Sequence, residues 1–151
     1  MRVWRIAHHR YALDKTCSGA AQFGGRWNPV GMPALYCGGT VAVCALEKFV
    51  HLGSGVLPSQ VLVAIDLPDD CDIYMPDLDA LPAGWDDLPT SLAAQRFGAA
   101  WLRRADQLAL KVPSAIVREE SNLILNPLHP DYARVALNIT RPFVFDRRLF
   151  R

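Results

Sequence analysis

The scarcity of helix-like segments constrains the fold of this chain more than any other feature of its sequence. Only residues 40–52 and 90–106 combine an N-cap residue with helical apolar spacing. Strand-like segments surround them, at residues 3–7, 34–37, 61–67, 108–117, 134–138 and 142–145. Segments 13–33 and 68–89 are rich in turn-forming residues and are expected to be loops. Because two helices are too few for regular βαβ alternation, the order predicts an α+β fold with a mixed, mainly antiparallel sheet.

The length and charge of the chain disfavour several classes of protein, among them nucleic-acid binders and membrane proteins. With 151 residues, of which 51% are apolar, residues 1–151 are expected to form one domain with a real core. A net charge of +1 provides no basic field, so direct nucleic-acid binding is not expected. The apolar segment 40–52 is far shorter than the roughly 20 residues that cross a bilayer, which disfavours a membrane protein. Charges interrupt residues 1–10 too often for a signal peptide, so we expect a cytoplasmic protein.

The cysteines and histidines give no metal-binding pattern. Cys17, Cys37, Cys44 and Cys71 form neither a C-x-x-C pair nor a zinc-finger spacing. A reducing compartment would keep them as thiols. We therefore expect no metal site and no disulfide framework.

A glycine-rich segment, residues 24–31 (GGRWNPVG), is the first candidate for a functional site. Glycines let a ligand approach the backbone closely, and the Arg26 guanidinium suits capture of a phosphate or carboxylate. The alternative is a surface turn in which Trp27 serves only as a hydrophobic plug. The segment matches neither of the two glycine-rich phosphate motifs, G-x-G-x-x-G and G-x-x-x-x-G-K-[ST].

Glu47 is the second candidate, because it lies in a helix that is apolar nearly all round. Helical geometry places it on one face with Val43, Cys44 and Val50, so we expect the helix to be buried. A buried carboxylate must be ion-paired, ligand-facing or protonated. The alternatives are a structural pair with an arginine such as Arg26 or Arg5, and a helix that is more exposed than its composition suggests.

The last two candidates for a functional site are the hydroxyl-bearing residues Tyr36 and Ser114. Tyr36, at the end of strand 34–37, could stack on a planar ligand or simply belong to the core. Ser114 lies within an apolar strand-like segment and could bind a ligand or its own backbone. No G-x-S-x-G elbow is present, so Ser114 is not interpreted as a hydrolase nucleophile.

The candidate residues and the motifs around them, taken in sequence order, resemble those of the RES domain family. Members of this family are the toxin half of a bacterial toxin–antitoxin pair. The resemblance runs through W-R-I at 4–6, G-G-R-W-N-P-V-G at 24–31, L-Y at 35–36, A-L-E at 45–47, V-P-S-A at 112–115 and N-P-L-H-P at 126–130. It implies that Arg26, Glu47 and Ser114 are the family's named trio and that Tyr36 belongs to the same pocket. Arg5 is carried over from the short W-R-I motif.

The resemblance also implies an ADP-ribosyltransferase-like fold and an enzyme that destroys NAD, which is its substrate. The partner implied is a helix-turn-helix antitoxin, and apolar surface could also be buried in a homodimer. On this hypothesis Glu47 offsets positive charge on the ribose, Arg26 and Arg5 hold the pyrophosphate, Tyr36 packs on the nicotinamide end and Ser114 fixes an amide or hydroxyl. The alternatives are an ADP-ribosyltransferase that modifies a protein, and a non-catalytic interaction module.

Overall fold

The structure is a computed structural model that describes residues 1–52 and 57–150. Three helices and seven strands are present in this part of the chain. Their bounds, in chain order, are β1 Arg2–His8, α1 Ser18–Phe23, β2 Leu35–Gly38, α2 Val41–Val50, β3 Gln60–Asp66, β4 Ile73–Tyr74, α3 Leu92–Arg104, β5 Ala109–Pro113, β6 Ser121–Leu125 and β7 Ala136–Pro142.

The strands form one sheet in the order β4-β5-β6-β2-β1-β3-β7. Every neighbouring pair is antiparallel except β4 and β5, which are parallel. The prediction of an α+β fold with a mixed, mainly antiparallel sheet is therefore confirmed. Most of the neighbours are distant in sequence, as when β2 pairs with β6 and β3 with β7.

The sheet consists of two parts that meet at one point. Strands β1 and β3 are paired along their whole length, from Arg2 with Asp66 to His8 with Gln60. Strands β1 and β2, by contrast, are joined only where Trp4 opposes Gly38. The part formed by β4, β5, β6 and β2 packs against α3, and the part formed by β1, β3 and β7 carries α2.

Several segments differ from the sequence-based expectation. The predicted loop 13–33 contains the short helix α1, and the predicted loop 68–89 contains β4 and a 3-10 turn at Leu78–Ala80. Trp85 in that second loop is only 7% exposed, because it packs on Trp27. Of the two strands expected at 134–138 and 142–145, the first corresponds to the start of β7, which runs on to Pro142, and residues 143–146 are not in a strand.

Within the described residues, none of the helices has both the length and the apolar character needed to cross a bilayer. The same part of the chain contains no group of three or more His, Cys, Asp or Glu side chains placed to hold a metal ion.

The four thiols differ in exposure, and this difference predicts their reactivity. Cys17, Cys37 and Cys44 are buried, whereas Cys71 is half-buried. Burial raises the pKa of Cys44 to about 12, and it also raises the pKa of Cys17 and Cys37. Since the thiolate is the reactive form, we expect iodoacetamide at pH 8 to label Cys71 first, as read by peptide mass spectrometry. In Cys71→Ser the fast phase should vanish; fast labelling at Cys44 would contradict the buried position of that thiol.

Candidate functional site

Glu47 lies on helix α2, which Thr40 caps by accepting a hydrogen bond from the Val43 amide at 3.2 Å. The expectation of a fully buried helix is wrong. Only Val43 and Cys44 of α2 are buried, Glu47 is half-buried, and Val50 is 51% exposed. The helix packs on β1 and β2 from one side only, so its carboxylate stands at the rim of the core, where both protein groups and a ligand can reach it.

Neutral groups hold the Glu47 carboxylate. Its Oε1 accepts hydrogen bonds from Ser114 Oγ at 2.8 Å and from Asn122 Nδ2 at 2.7 Å. None of the ion pairs among residues 1–52 and 57–150 includes Glu47. The structural pair with Arg26 or Arg5, one of the alternatives drawn from the sequence, is therefore not formed.

Ser114 is fully buried and lies one residue beyond the end of β5, not inside a strand as the sequence suggested. Its backbone amide donates to the Glu120 carbonyl at 2.8 Å and closes the loop that leads to β6. Its Oγ accepts from the amides of Ile116 and Val117, at 3.1 and 3.3 Å. Since a hydroxyl has one hydrogen and two lone pairs, these two bonds direct the hydroxyl hydrogen at Glu47.

Arg26 connects the glycine-rich segment to the aspartate-rich loop. Its Nη1 donates to the carbonyls of Trp85 at 3.0 Å and Asp87 at 2.8 Å, and its Nη2 donates to the carbonyl of Pro89 at 3.4 Å. A guanidinium has five donors, so two remain for a ligand. The neighbouring Trp27 is 2% exposed and packs on Trp85, which fits the hydrophobic plug considered from the sequence.

Tyr36 holds the same segment from the sheet side. Its hydroxyl donates to Asn28 Oδ1 at 2.6 Å and accepts from the Trp27 amide at 3.0 Å. Burial raises the pKa of the Tyr36 phenol, which keeps it protonated as a donor. A Cβ added at Gly25 would lie 2.6 Å from the Tyr36 hydroxyl oxygen, so the close approach of segment and tyrosine requires glycine there.

Arg5 lies in β1, next to the single residue pair that joins the two parts of the sheet. Its Nη1 is buried and has no hydrogen-bond partner among the described residues. Its charge contributes to lowering the pKa of Lys48 on α2, after the larger effect of burial. A buried donor without a partner is costly, and it is a position that an anionic ligand would satisfy.

The structure thus places the sequence-predicted residues in two groups. Glu47 contacts Ser114, and Tyr36 contacts the Trp27 amide beside Arg26. Sequence reasoning missed Asn122, the second partner of Glu47. Its only sequence signal is a polar residue in the apolar run of β6, at a position that shares a face with Ile124.

Comparisons with known proteins agree with one another. The RES domain family model matches residues 2–146. The "Prs ADP-ribosylating toxin" of Sphingobium sp. (strain YBL2) is 38% identical, over 98% of this chain and 96% of that toxin. "Toxin Res" of Photorhabdus laumondii subsp. laumondii is 34% identical, over 100% of this chain and 98% of the relative.

A solved structure shares the fold. It is that of the M. tuberculosis MbcT–MbcA toxin–antitoxin complex, with a TM-score of 0.67 and 22% identity, over 99% of this chain and 86% of the matched chain. Sequence match, fold and the ordered motifs lead to the same assignment: the chain belongs to the RES domain family.

Proposed function

We propose that this protein, a RES-domain toxin, breaks the bond between nicotinamide and ribose in NAD+. The observation that carries the proposal is the Glu47 carboxylate, which is half-buried and bound only by the neutral donors of Ser114 and Asn122. No arginine or lysine in the described residues neutralises it. Such a carboxylate keeps its negative charge available for a cationic reaction centre.

NAD+ cleavage needs this kind of group. When the C1′–N bond breaks, its electron pair stays on the nicotinamide nitrogen, which leaves neutral, and the ribose develops oxocarbenium character. The leaving group therefore needs no strong general acid, unlike that of a glycosidase with two carboxylates. Glu47 would bind a ribose hydroxyl and stabilise the positive charge, while a water oxygen bonds to C1′ and its proton passes to solvent.

The two arginines support binding of the pyrophosphate. Arg5 has a buried Nη1 without a partner among the described residues, and Arg26 retains two donors after binding three carbonyls. Guanidinium groups match phosphate oxygens in shape and charge. Tyr36, which fixes the segment that carries Arg26, would pack at the nicotinamide end.

Replacing Arg5 with glutamine is expected to weaken NAD binding about 10- to 100-fold, because a hydrogen bond to a charged group contributes about 1.5–3 kcal/mol. Isothermal titration calorimetry of NAD measures this. Arg2→Gln is the matched control, since Arg2 is in the same strand but pairs with Asp66 at the surface. Equal affinity of Arg5→Gln and wild type would show that Arg5 does not bind the pyrophosphate.

The direct test of the proposal is to incubate the purified protein with NAD+ and measure nicotinamide release by chromatography. Free ADP-ribose as the second product identifies water as the acceptor, and ADP-ribose phosphate identifies inorganic phosphate. Absence of nicotinamide release under all conditions, in a protein that still binds a partner tightly, would support the interaction module instead.

A second candidate is transfer of ADP-ribose to a protein, and one observation favours it. The Sphingobium relative, 38% identical to this chain, is named an ADP-ribosylating toxin. The same carboxylate would stabilise the same ribosyl cation, and only the acceptor differs. NAD labelled in its adenylate part separates the two outcomes, because transfer leaves the label on a protein and hydrolysis leaves it on a small molecule.

An antitoxin is the partner that we propose, since the structural neighbour is a toxin–antitoxin complex. Co-purification of this protein with the product of an adjacent gene would test it. The helix-turn-helix type of that antitoxin, the homodimer and the cytoplasmic location stay predictions.

A further inference from the structure

Asn122 stands out among the polar groups near Glu47 because it is not one of the candidates found in the sequence. It lies in β6 and opposes Gly38 of β2 on one side and Val112 of β5 on the other. Its Nδ2 donates to Glu47 Oε1 at 2.7 Å. The side chain thus reaches from the floor of the sheet to the helix that carries the proposed catalytic carboxylate.

Two donors on one oxygen define the orientation of the carboxylate. Ser114 Oγ and Asn122 Nδ2 both donate to Oε1, and no described residue donates to Oε2. Two hydrogen bonds from different elements remove the rotation of the carboxylate about its terminal torsion, which is otherwise broad. Oε2 is then the oxygen left for a ligand.

We propose that Asn122 is a positioning residue for NAD+ cleavage. Together with Ser114 it fixes Oε1 of the Glu47 carboxylate, so that Oε2 faces the ribose. This role rests on the proposed function, in which Glu47 stabilises the ribosyl cation. Asn122 itself does not touch the substrate. Its loss should therefore lower kcat and leave KM nearly unchanged.

The chemistry of the amide explains why asparagine suits this position. Its NH2 group donates to a carboxylate without neutralising it, whereas an arginine or lysine would cancel the charge that the reaction uses. Several titratable groups surround Glu47 on the elements packed around it. They are Cys44 and Lys48 on its own helix, His51 at the end of that helix, Arg5 on β1, and Glu120, which accepts a hydrogen bond from Thr40 at the start of the helix. Of these, His51 is in direct contact, with Nδ1 2.7 Å from the main-chain oxygen of Glu47.

Asn122→Asp tests the hydrogen bond to Glu47 most directly, because it keeps the shape of the side chain and replaces the amide donor with a second carboxylate. Two adjacent carboxylates cannot both ionise easily, so the acidic limb of the pH profile of kcat should shift upward in this variant. At pH 7, kcat should fall about 10- to 100-fold. Asn138→Asp, which makes the same charge change on the exposed strand β7, is the control.

A carbon-13 NMR titration gives a readout that does not depend on catalysis. The chain has three glutamates, Glu47, Glu119 and Glu120, so labelling of glutamate at the carboxyl carbon gives three resonances. The spectrum of Glu47→Gln assigns one of them. If Asn122→Asp leaves the Glu47 resonance titrating as in wild type, Asn122 does not hold the carboxylate and the proposal is wrong.

The two proposals can fail separately. If Asn122→Asp changes the titration of the Glu47 resonance in a protein that never releases nicotinamide, the result would contradict NAD+ cleavage while confirming the contact that positions the carboxylate. An active protein in which Asn122→Asp and Asn122→Ser both keep the wild-type kcat and pH profile would contradict the positioning role alone. Asn122→Ser is a second variant for the case in which the aspartate variant does not fold. The serine side chain is too short to reach Oε1 and adds no charge, so kcat should fall about tenfold.

Discussion

Replacing Glu47 with glutamine is expected to lower the rate of nicotinamide release by about 10²–10³-fold, the cost of removing one electrostatic stabiliser from an active site. Glutamine keeps the size of the side chain, and its amide oxygen can still accept hydrogen bonds from Ser114 and Asn122, which donate to Oε1 of the carboxylate. What it lacks is the negative charge that, in the proposed reaction, would offset the ribosyl cation. Stopped assays of nicotinamide release, with circular dichroism to verify the fold, measure this loss.

Glu119→Gln is the matched control for this experiment, because Glu119 is exposed in the loop that follows Ser114. It makes the same charge change near the site and should leave the rate within about a factor of two. NAD affinity should change little in Glu47→Gln, because the loss occurs in the transition state. Unchanged turnover in Glu47→Gln would remove the carboxylate from the mechanism and with it the main support for NAD+ cleavage.

Gly98→Ala is expected to destabilise the fold more than alanine at any other glycine among residues 1–52 and 57–150. A Cβ at Gly98 would lie 1.8 Å from the main-chain oxygen of Trp27, which cannot move aside as a flexible side chain would. Alanine gains about 1 kcal/mol of helix propensity over glycine, but overpacking costs typically 1–3 kcal/mol and more when backbone must shift. We expect a net loss of about 3 kcal/mol, which lowers Tm by about 6–12 °C in a protein of this size.

Gly19→Ala provides the comparison, because a Cβ at Gly19 in helix α1 would meet no atom within 4 Å. It should leave Tm unchanged or raise it slightly. NAD binding by Gly98→Ala should also weaken, since Trp27 is adjacent to Arg26 in the segment that α3 supports. Equal Tm values for the two variants would mean that α3 does not pack as closely on Trp27 as the structure shows.

The elements that sequence predicts well are those whose pattern is local. Thr40 and Ser91 each cap a helix where the sequence places one, and the apolar run 61–67 is the buried strand β3. Leu92, by contrast, is the first residue of helix α3 and an apolar side chain, yet it is 59% exposed. The core contact there is made by Ala94 and Gly98, because the backbone of Trp27 approaches the helix too closely for a large side chain.

The site is predicted less completely, for a physical reason. Glu47 and Ser114 could be chosen from the sequence because a carboxylate or hydroxyl in an apolar segment needs a partner. The partners themselves depend on pairing between distant strands, which no local pattern encodes. Asn122 reaches Glu47 only because β6 lies beside β2, and Arg26 binds the carbonyls of residues 85, 87 and 89 only because the aspartate-rich loop folds back over it.

The order of the strands also determines when the site can form during synthesis. Glu47 is separated by 67 residues from Ser114 and by 75 from Asn122, and β1 pairs with β3 before β2 can pair with β6. At about 5–20 residues per second, translation needs roughly 4–15 seconds to supply those partners after Glu47 has been added. A growing chain therefore carries its carboxylate unpositioned until β6 has been made. The topology thus delays any activity that depends on Glu47 until Ser114 and Asn122 have both been added.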